Sequence, residues 1–160
     1  MRLIPFLWYA KDAPEAAKFY ASILPDSRVD SVEIMPGDSP AGPEGSVQIV
    51  RFTLLGQPVQ AMTAGPHHAF NDAISMMVEV DTQEELDRLW NALGEGGQFV
   101  ACGWLNDRYG LRWQITPKQL PELINSGDRA ARRRVAEAML KMVKLDIAAL
   151  QAAQAGPSVS

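Results

Sequence analysis

The chain has 160 residues, a length that fits one domain with room for a substantial core. Apolar residues make up 47% and charged residues 21%, as in ordinary globular proteins, and a formal net charge of −4 gives no general attraction to nucleic acid. The single cysteine, Cys102, excludes an internal disulfide and fits a reducing compartment, so a cytoplasmic location is expected.

The chain opens with MRLIPFLWYAKD. Its apolar run is too short for the hydrophobic region of a cleaved leader, and Lys11 and Asp12 interrupt it. No segment approaches a membrane-spanning length, so no membrane partner is expected.

The same stretch begins an internal repeat. IPFLWYAKDAPEAAKFYASIL (4–24) lies over ISMMVEVDTQEELDRLWNALG (74–94) with one constant offset, Ile4 on Ile74 and Glu15 on Glu85. In each copy an apolar strand ends at a helix N-cap, Asp12 or Thr82, followed three residues on by the glutamate of a capping box. Each helix then sets apolar residues at helical spacing: Ala16, Phe19, Tyr20 and Ile23 in one, Leu86, Leu89, Trp90 and Leu93 in the other.

After the first helix, RVDSVEIM (28–35), SVQIVRFTLL (46–55) and QPVQAMT (57–63) read as strands, with a loop at PGDSPAGPEG (36–45). Segment 46–55 carries apolar residues of both parities, which predicts a strand covered on both faces. After the second helix, GQFVACGW (97–104) and LRWQITP (111–117) read as strands around the turn NDRYG. Each half is therefore expected to be β-α-β-β-β, about 3–63 and 73–117, within a domain ending near 127. The third strand of the second half is the weakest signal.

Residues 128–160 form a third region. Ala136, Leu140, Val143, Ile147 and Leu150 step by four and three, predicting one continuous helix from about Arg129 to Ala153 that docks on its own domain or on a partner. AGPSVS (155–160) reads as a loose terminus. In RAARRR (129–134) the arginines open a helix, where cations oppose its dipole, so a solvated face is expected rather than a nucleic-acid contact.

The paired halves, with FLWYAKDAPEAAKFYASILPDS (6–27), GPHHAFNDAIS (65–75), CGWLNDRYGLRWQITP (102–117) and AMLKMVKLDIAAL (138–150), resemble the PhnB-like, or 3-demethylubiquinone-9 3-methyltransferase-like, family. That family lies in the vicinal oxygen chelate superfamily of glyoxalases, bleomycin-resistance proteins and dioxygenases. The resemblance implies an α+β fold whose tandem modules curl into a half-barrel around a pocket, usually completed in a homodimer. It implies little about reaction, because fold does not fix function.

Superfamily metal enzymes place ligands on the first strand of each module and on a last strand. Carried onto this chain, those places fall near Pro5 and Ser75 and on Gln114. Proline offers no ligand, and a hydroxyl and an amide do not make the imidazole, thiolate or carboxylate set a transition metal needs. No metal and no cofactor are expected. The glycine cluster GEGG (94–97) follows a helix and leads into a strand, the reverse of a nucleotide-type turn. S-adenosylmethionine binding is therefore not expected, and Gly94 reads as a helix C′ residue.

GPHHAFN holds both histidines, His67 and His68, in a loop-like context. Adjacent residues of an extended chain point oppositely, so the pair is expected to shape a pocket rim, with His67 as a candidate proton carrier. Further candidates for acid–base or polarising roles are Asn71, Asp107 and Gln114. Trp8, Gln60, Asn71, Ser75, Cys102, Trp104, Trp113 and Gln114 lie on strands or strand ends that this fold turns towards one cavity, an aromatic wall with amides and hydroxyls. Cys102 is expected to be a buried, inert thiol. Two readings follow: a metal-independent small-molecule-binding protein that acts on a carbonyl or other oxygenated compound, or a ligand-sequestering module. A metalloenzyme with non-standard ligands is the third.

Overall fold

The two capping-box sequences nucleate two helices by different means. The computed structural model describes residues 1–156 and places the first helix, α1, at Ala13–Ile23 and the second, α2, at Gln83–Gly94. At α2 the predicted box forms: Thr82 Oγ1 accepts from the Glu85 N–H at 3.2 Å, and Glu85 Oε2 accepts from the Asp81 N–H at 3.2 Å. At α1 it does not. Asp12 sits in the left-handed region at φ 71° and makes no side-chain cap, and the Ala13 N–H donates instead to Thr63 Oγ1 at 3.1 Å. One orphan donor of this helix start is thus served from β4 (Gln57–Thr63).

The chain divides into two compact units, Met1–Phe70 and Asn71–Ser160. The first contains β1 (Phe6–Tyr9), α1, β2 (Arg28–Ile34), β3 (Gln48–Leu54) and β4 (Gln57–Thr63), with sheet order β1-β4-β3-β2. β1 runs parallel to β4 and the other pairs are antiparallel. Leu7, Tyr9, Val50, Phe52, Val59 and Ala61 are buried on the same core as Ala16, Ala17 and Tyr20 of α1. The Tyr9 and Tyr20 hydroxyls meet there at 3.0 Å, satisfying both phenols inside the core.

β3 departs from the two-faced expectation. Val50, Phe52 and Leu54 share one buried face, while the other presents half-buried Ile49, exposed Arg51 paired with Glu33, and buried Thr53. Val47 and Leu55, which suggested the second apolar face, lie outside the strand. Leu55 and Gly56 form the hairpin turn to β4, at φ 49° and 75°. Positive φ at both central positions is the type I′ pattern that matches strand twist.

The second unit repeats the plan: β5 (Met76–Val80), α2, β6 (Gln98–Phe99), β7 (Trp104–Asn106) and β8 (Arg112–Pro117), in order β5-β8-β7-β6, with β5 parallel to β8. Each unit is thus a four-stranded mixed sheet with a helix, and neither sheet closes on itself. The weakly signalled strand exists because GQFVACGW is a hairpin rather than one strand. Cys102 (φ 55°) and Gly103 (φ 82°) form a tight turn closed by the Trp104 N–H on Ala101 O at 3.0 Å. Gly94 is the last residue of α2 rather than its C′ residue, and its φ is not positive. A Cβ there would sit 2.2 Å from the Phe99 ring, which stacks on Trp90 with centroids 4.9 Å apart. The glycine is needed for close approach, not for its dihedral freedom.

The C-terminal region is three helices, α3 (Leu120–Asn125), α4 (Arg129–Leu140) and α5 (Ile147–Ala155). The expected continuous helix breaks at 141–146. The carbonyls of Met142 and Val143 accept from the N–H groups of Cys102 (2.8 Å) and Gly103 (2.9 Å), replacing the helical partners. Leu145 is fully buried, and Asp146 caps a new helix by accepting from the Ala149 N–H at 2.9 Å. Leu123, Val135 and Leu150 form the core that joins the three helices. In RAARRR, Arg129, Arg132 and Arg133 are exposed. Arg134 instead donates to the carbonyls of Ala153 and Gln154 at the end of α5, both at 2.9 Å. The loose terminus expected over AGPSVS lies, from 157 onward, outside the described residues. Among the described residues no helix is long and apolar enough to cross a membrane.

Candidate functional site

Strand register builds the site. Parallel pairing sets Met77 opposite Gln114 and Glu79 opposite Thr116, and β7 sets Trp104 opposite Gln114 on the other side. Because side chains alternate along strands, these five share one face of the sheet. The opposite face carries Val78, Val80, Leu105, Trp113 and Ile115, all buried like Leu86, Leu89, Trp90 and Leu93 of α2. The core-facing positions of β1, Leu7 and Tyr9, correspond to Val78 and Val80 of β5, one residue beyond the offset that relates the helices.

Over the free face lie Pro117, the start of α3 at Leu120 and Pro121, and Met139 of α4. Between floor and cover is a cavity of about 190 Å³, with Cys102 in its wall. Exposed Met77, Glu79 and Pro121 mark its mouth, and buried Thr116 lies on its floor.

Its polar groups are few. Gln114 Nε2 donates to Ser75 Oγ at 2.7 Å, which fixes the amide and leaves the carbonyl oxygen with no protein partner among the described residues. Among the described residues Glu79 has no hydrogen-bond or ion-pair partner. Lys118 feels its charge only weakly, being engaged with Asp81 at 2.7 Å, the contact that chiefly raises its pKa. Thr116 is 6% exposed, and its hydroxyl is the buried side-chain polar atom left without any hydrogen-bond partner among the described residues. Buried hydroxyls are normally paired, because an unmade bond costs about 1–3 kcal/mol. A lone hydroxyl beside a cavity is an open valence of the site.

Of the residues expected around one cavity, Cys102, Trp104 and Gln114 line this one and Ser75 braces it. Cys102 is half-buried and its thiol donates weakly to Met139 O at 3.5 Å. Trp113 is on the other face of β8, 1% exposed, with Nε1 donating to Asp107 Oδ2 at 2.8 Å. Asp107 is 4% exposed and its other oxygen accepts from the N–H groups of Tyr109 (2.8 Å) and Leu111 (3.1 Å). That carboxylate organises the NDRYG turn and lines no part of the cavity. Asn71 is exposed and accepts from the Ala73 N–H at 2.9 Å, a local turn bond.

Trp8 and Gln60 belong to the first unit. Gln60 is half-buried on β4 opposite Phe6. Trp8 Nε1 donates to Gly65 O at 2.9 Å, and the edges of His67 and His68 meet its ring at centroid distances of 6.3 and 4.8 Å. Both histidines are exposed, and GPHHAFN wraps this tryptophan. Sequence reasoning missed Met77, Glu79, Thr116 and Met139. The period-two positions after Ser75 and Gln114 pointed to the first three, whereas Met139 lines the cavity from α4, a tertiary contact that no local pattern announces.

The metal expected of the superfamily does not fit these residues. Ser75 and Gln114 do come together, but they hydrogen-bond each other, and Pro5 contributes a carbonyl that accepts from the Gln60 N–H at 3.0 Å. Among the described residues no three or more of His, Cys, Asp and Glu cluster to hold an ion.

Tandem mixed sheets of matching strand order, each with its helix, define the vicinal oxygen chelate fold class. Within it the chain belongs to the 3-demethylubiquinone-9 3-methyltransferase family, whose model matches residues 1–116. It is similar to a putative 3-demethylubiquinone-9 3-methyltransferase, PhnB protein, from Bacillus cereus, with 31% identity, TM-score 0.64, and coverage of 73% of this chain and 99% of that one. A protein of Pseudomonas aeruginosa is 26% identical over 73% of this chain and 97% of its own, TM-score 0.53. The fosfomycin resistance protein FosX of Listeria monocytogenes shares the fold at 14% identity, TM-score 0.57, covering 79% of this chain and 98% of that one. No curated protein matches the chain.

Proposed function

We propose that the protein binds a small organic molecule in the cavity of its second unit, using side chains rather than a metal. The observation that carries this reading is the unpartnered Thr116 hydroxyl beside a cavity walled by Trp104 and two methionines. Apolar walls with a few unsatisfied polar groups are the usual make-up of a ligand site. At about 190 Å³ the cavity is smaller than the ~300–1,000 Å³ of drug-sized sites, so the ligand is compact. Binding is the function the geometry supports best. Chemistry on an oxygenated ligand would rest on Gln114 and Thr116 as polarising groups, since among the described residues neither the Thr116 hydroxyl nor the Cys102 thiol is hydrogen-bonded to a base.

Methyl transfer is not part of this reading. The two connections from strand to helix, residues 10–12 and 81–82, contain no glycine, and GEGG joins α2 to β6. The reading includes a homodimer, supported by Phe6 and Met77, which remain 51% and 54% exposed on the faces turned away from their helices. The single unpaired thiol supports a reducing, cytoplasmic setting.

The test is a thermal-shift screen of compact metabolites against the wild type and Thr116→Val, followed by calorimetric titration of the hits. Stabilisation of the wild type by at least one compound, weakened in the variant, is expected. Hits that bind both proteins equally would place binding elsewhere and overturn the proposal.

A further inference from the structure

Resting on that reading, we infer that the cavity selects a small organic cation, a protonated or alkylated amine on a compact apolar body, and disfavours anions. The inference comes from the sign and type of the groups the strand register brings together. Among the described residues Glu79 is the one charged side chain lining the cavity, and no lysine, arginine or histidine lines it. Lys118, the cation that senses Glu79, has its ammonium on Asp81. Gln114, with its amide nitrogen committed to Ser75, offers an acceptor oxygen. Thr116 offers a hydroxyl with lone pairs unused.

The uncommitted oxygens of Glu79, Gln114 and Thr116 can therefore all accept a hydrogen bond, while the donors left without a partner among the described residues are the Thr116 hydroxyl and the neutral Trp104 indole N–H. Such a set solvates a donor-bearing cation and leaves an anion facing a carboxylate. The apolar wall agrees with this sign. The Trp104 ring attracts cations through its negative face, and the thioethers of Met77 and Met139 are polarisable and mould to an alkyl or aryl body. Thr116 and Glu79 lie opposite one another across β5 and β8, so one ammonium can reach both acceptors while its body faces Trp104 and the methionines.

The experiment uses three probes of one shape and different charge: benzylammonium, benzyl alcohol and benzoate. Each is titrated calorimetrically into the full-length protein at neutral pH and moderate salt. Benzylammonium is expected to bind about tenfold more tightly than benzyl alcohol, with benzoate weakest, as one charge–charge contact plus a cation–π contact predicts. Glu79→Gln keeps the shape and removes the charge. It should lower benzylammonium affinity about tenfold while changing benzyl alcohol less than twofold. Thr116→Val should weaken both, showing that the heat arises in this cavity. Benzyl alcohol or benzoate binding as tightly as benzylammonium, with sensitivity to Thr116→Val, would overturn the charge preference and leave the binding site standing. No binding by any of the three at millimolar concentration would overturn both.

Discussion

Replacing Thr116 by valine should make the protein more stable. Valine has the same shape with a methyl in place of the hydroxyl, so packing on the cavity floor is kept while an unsatisfied buried polar atom disappears. Leaving such an atom unpaired costs about 1–3 kcal/mol, and the new methyl adds favourable burial of the same sign. For a chain of this size 1 kcal/mol corresponds to about 2–4 °C, so a rise of roughly 2–12 °C is expected without ligand. Differential scanning calorimetry and urea unfolding followed by circular dichroism read it, the slope in urea serving to exclude a changed unfolded state. Thr53 provides the opposite control. It is 7% exposed and its hydroxyl donates to Asp30 Oδ2 at 2.8 Å, so Thr53→Val should destabilise by about 1 kcal/mol or more. If Thr116→Val destabilises as Thr53→Val does, the Thr116 hydroxyl has a partner in the folded protein, and the reasoning that makes it an open position of the site fails.

Other residues make independent predictions. Asp107→Ala removes the acceptor of the Trp113 indole and of two backbone N–H groups, and should cost about 3 kcal/mol or more in equilibrium unfolding. Leu55→Asn puts a residue that tolerates the left-handed region at φ 49° beside Gly56, and should raise stability by up to about 1 kcal/mol, read from the same urea curves. Asp87 is held below the ordinary carboxylate range, first by its hydrogen bond from Lys144 and next by that from Gln83. A lowered pKa means the folded state binds the proton less readily than the unfolded one. The stabilisation is therefore full above the ordinary value near 3.8 and fades as pH falls through the lowered one. Lys144→Met should cost less than about 1 kcal/mol at pH 7, given the exposure of the pair, with the difference from wild type narrowing in unfolding curves as pH is lowered below 3.8.

Much of the fold was legible in the residues. The repeat that sets Glu15 over Glu85 marks two helices whose starts keep that spacing, and the apolar runs around them became strands in matching sheet order. What local pattern could not supply was set by tertiary contacts. Nothing in ACGW announces a hairpin except Gly103, because a cysteine at positive φ defies its own preference and is held there by the 142–143 carbonyls. The same contacts cut the helical stripe after Leu140, where periodicity alone predicts continuity. The site was legible by half. Gln114, Trp104, Cys102 and Ser75 follow from strand placement, but Trp113 next to Gln114 points into the core and holds Asp107, which period-two alternation already implies. His67 and His68, conspicuous as neighbours, pack on Trp8 in the first unit. Glu79 and Thr116 look unremarkable in sequence, and only register shows that they face each other.

The most direct test of the central claim is an electron-density map of the cavity floor, from crystals of protein purified without chelator and soaked with benzylammonium. The account predicts the probe, its nitrogen about 3 Å from Thr116 Oγ1 and near the Glu79 carboxylate. A cavity that stays empty at saturating probe, with the Thr116 hydroxyl bonded to the protein itself, would contradict it.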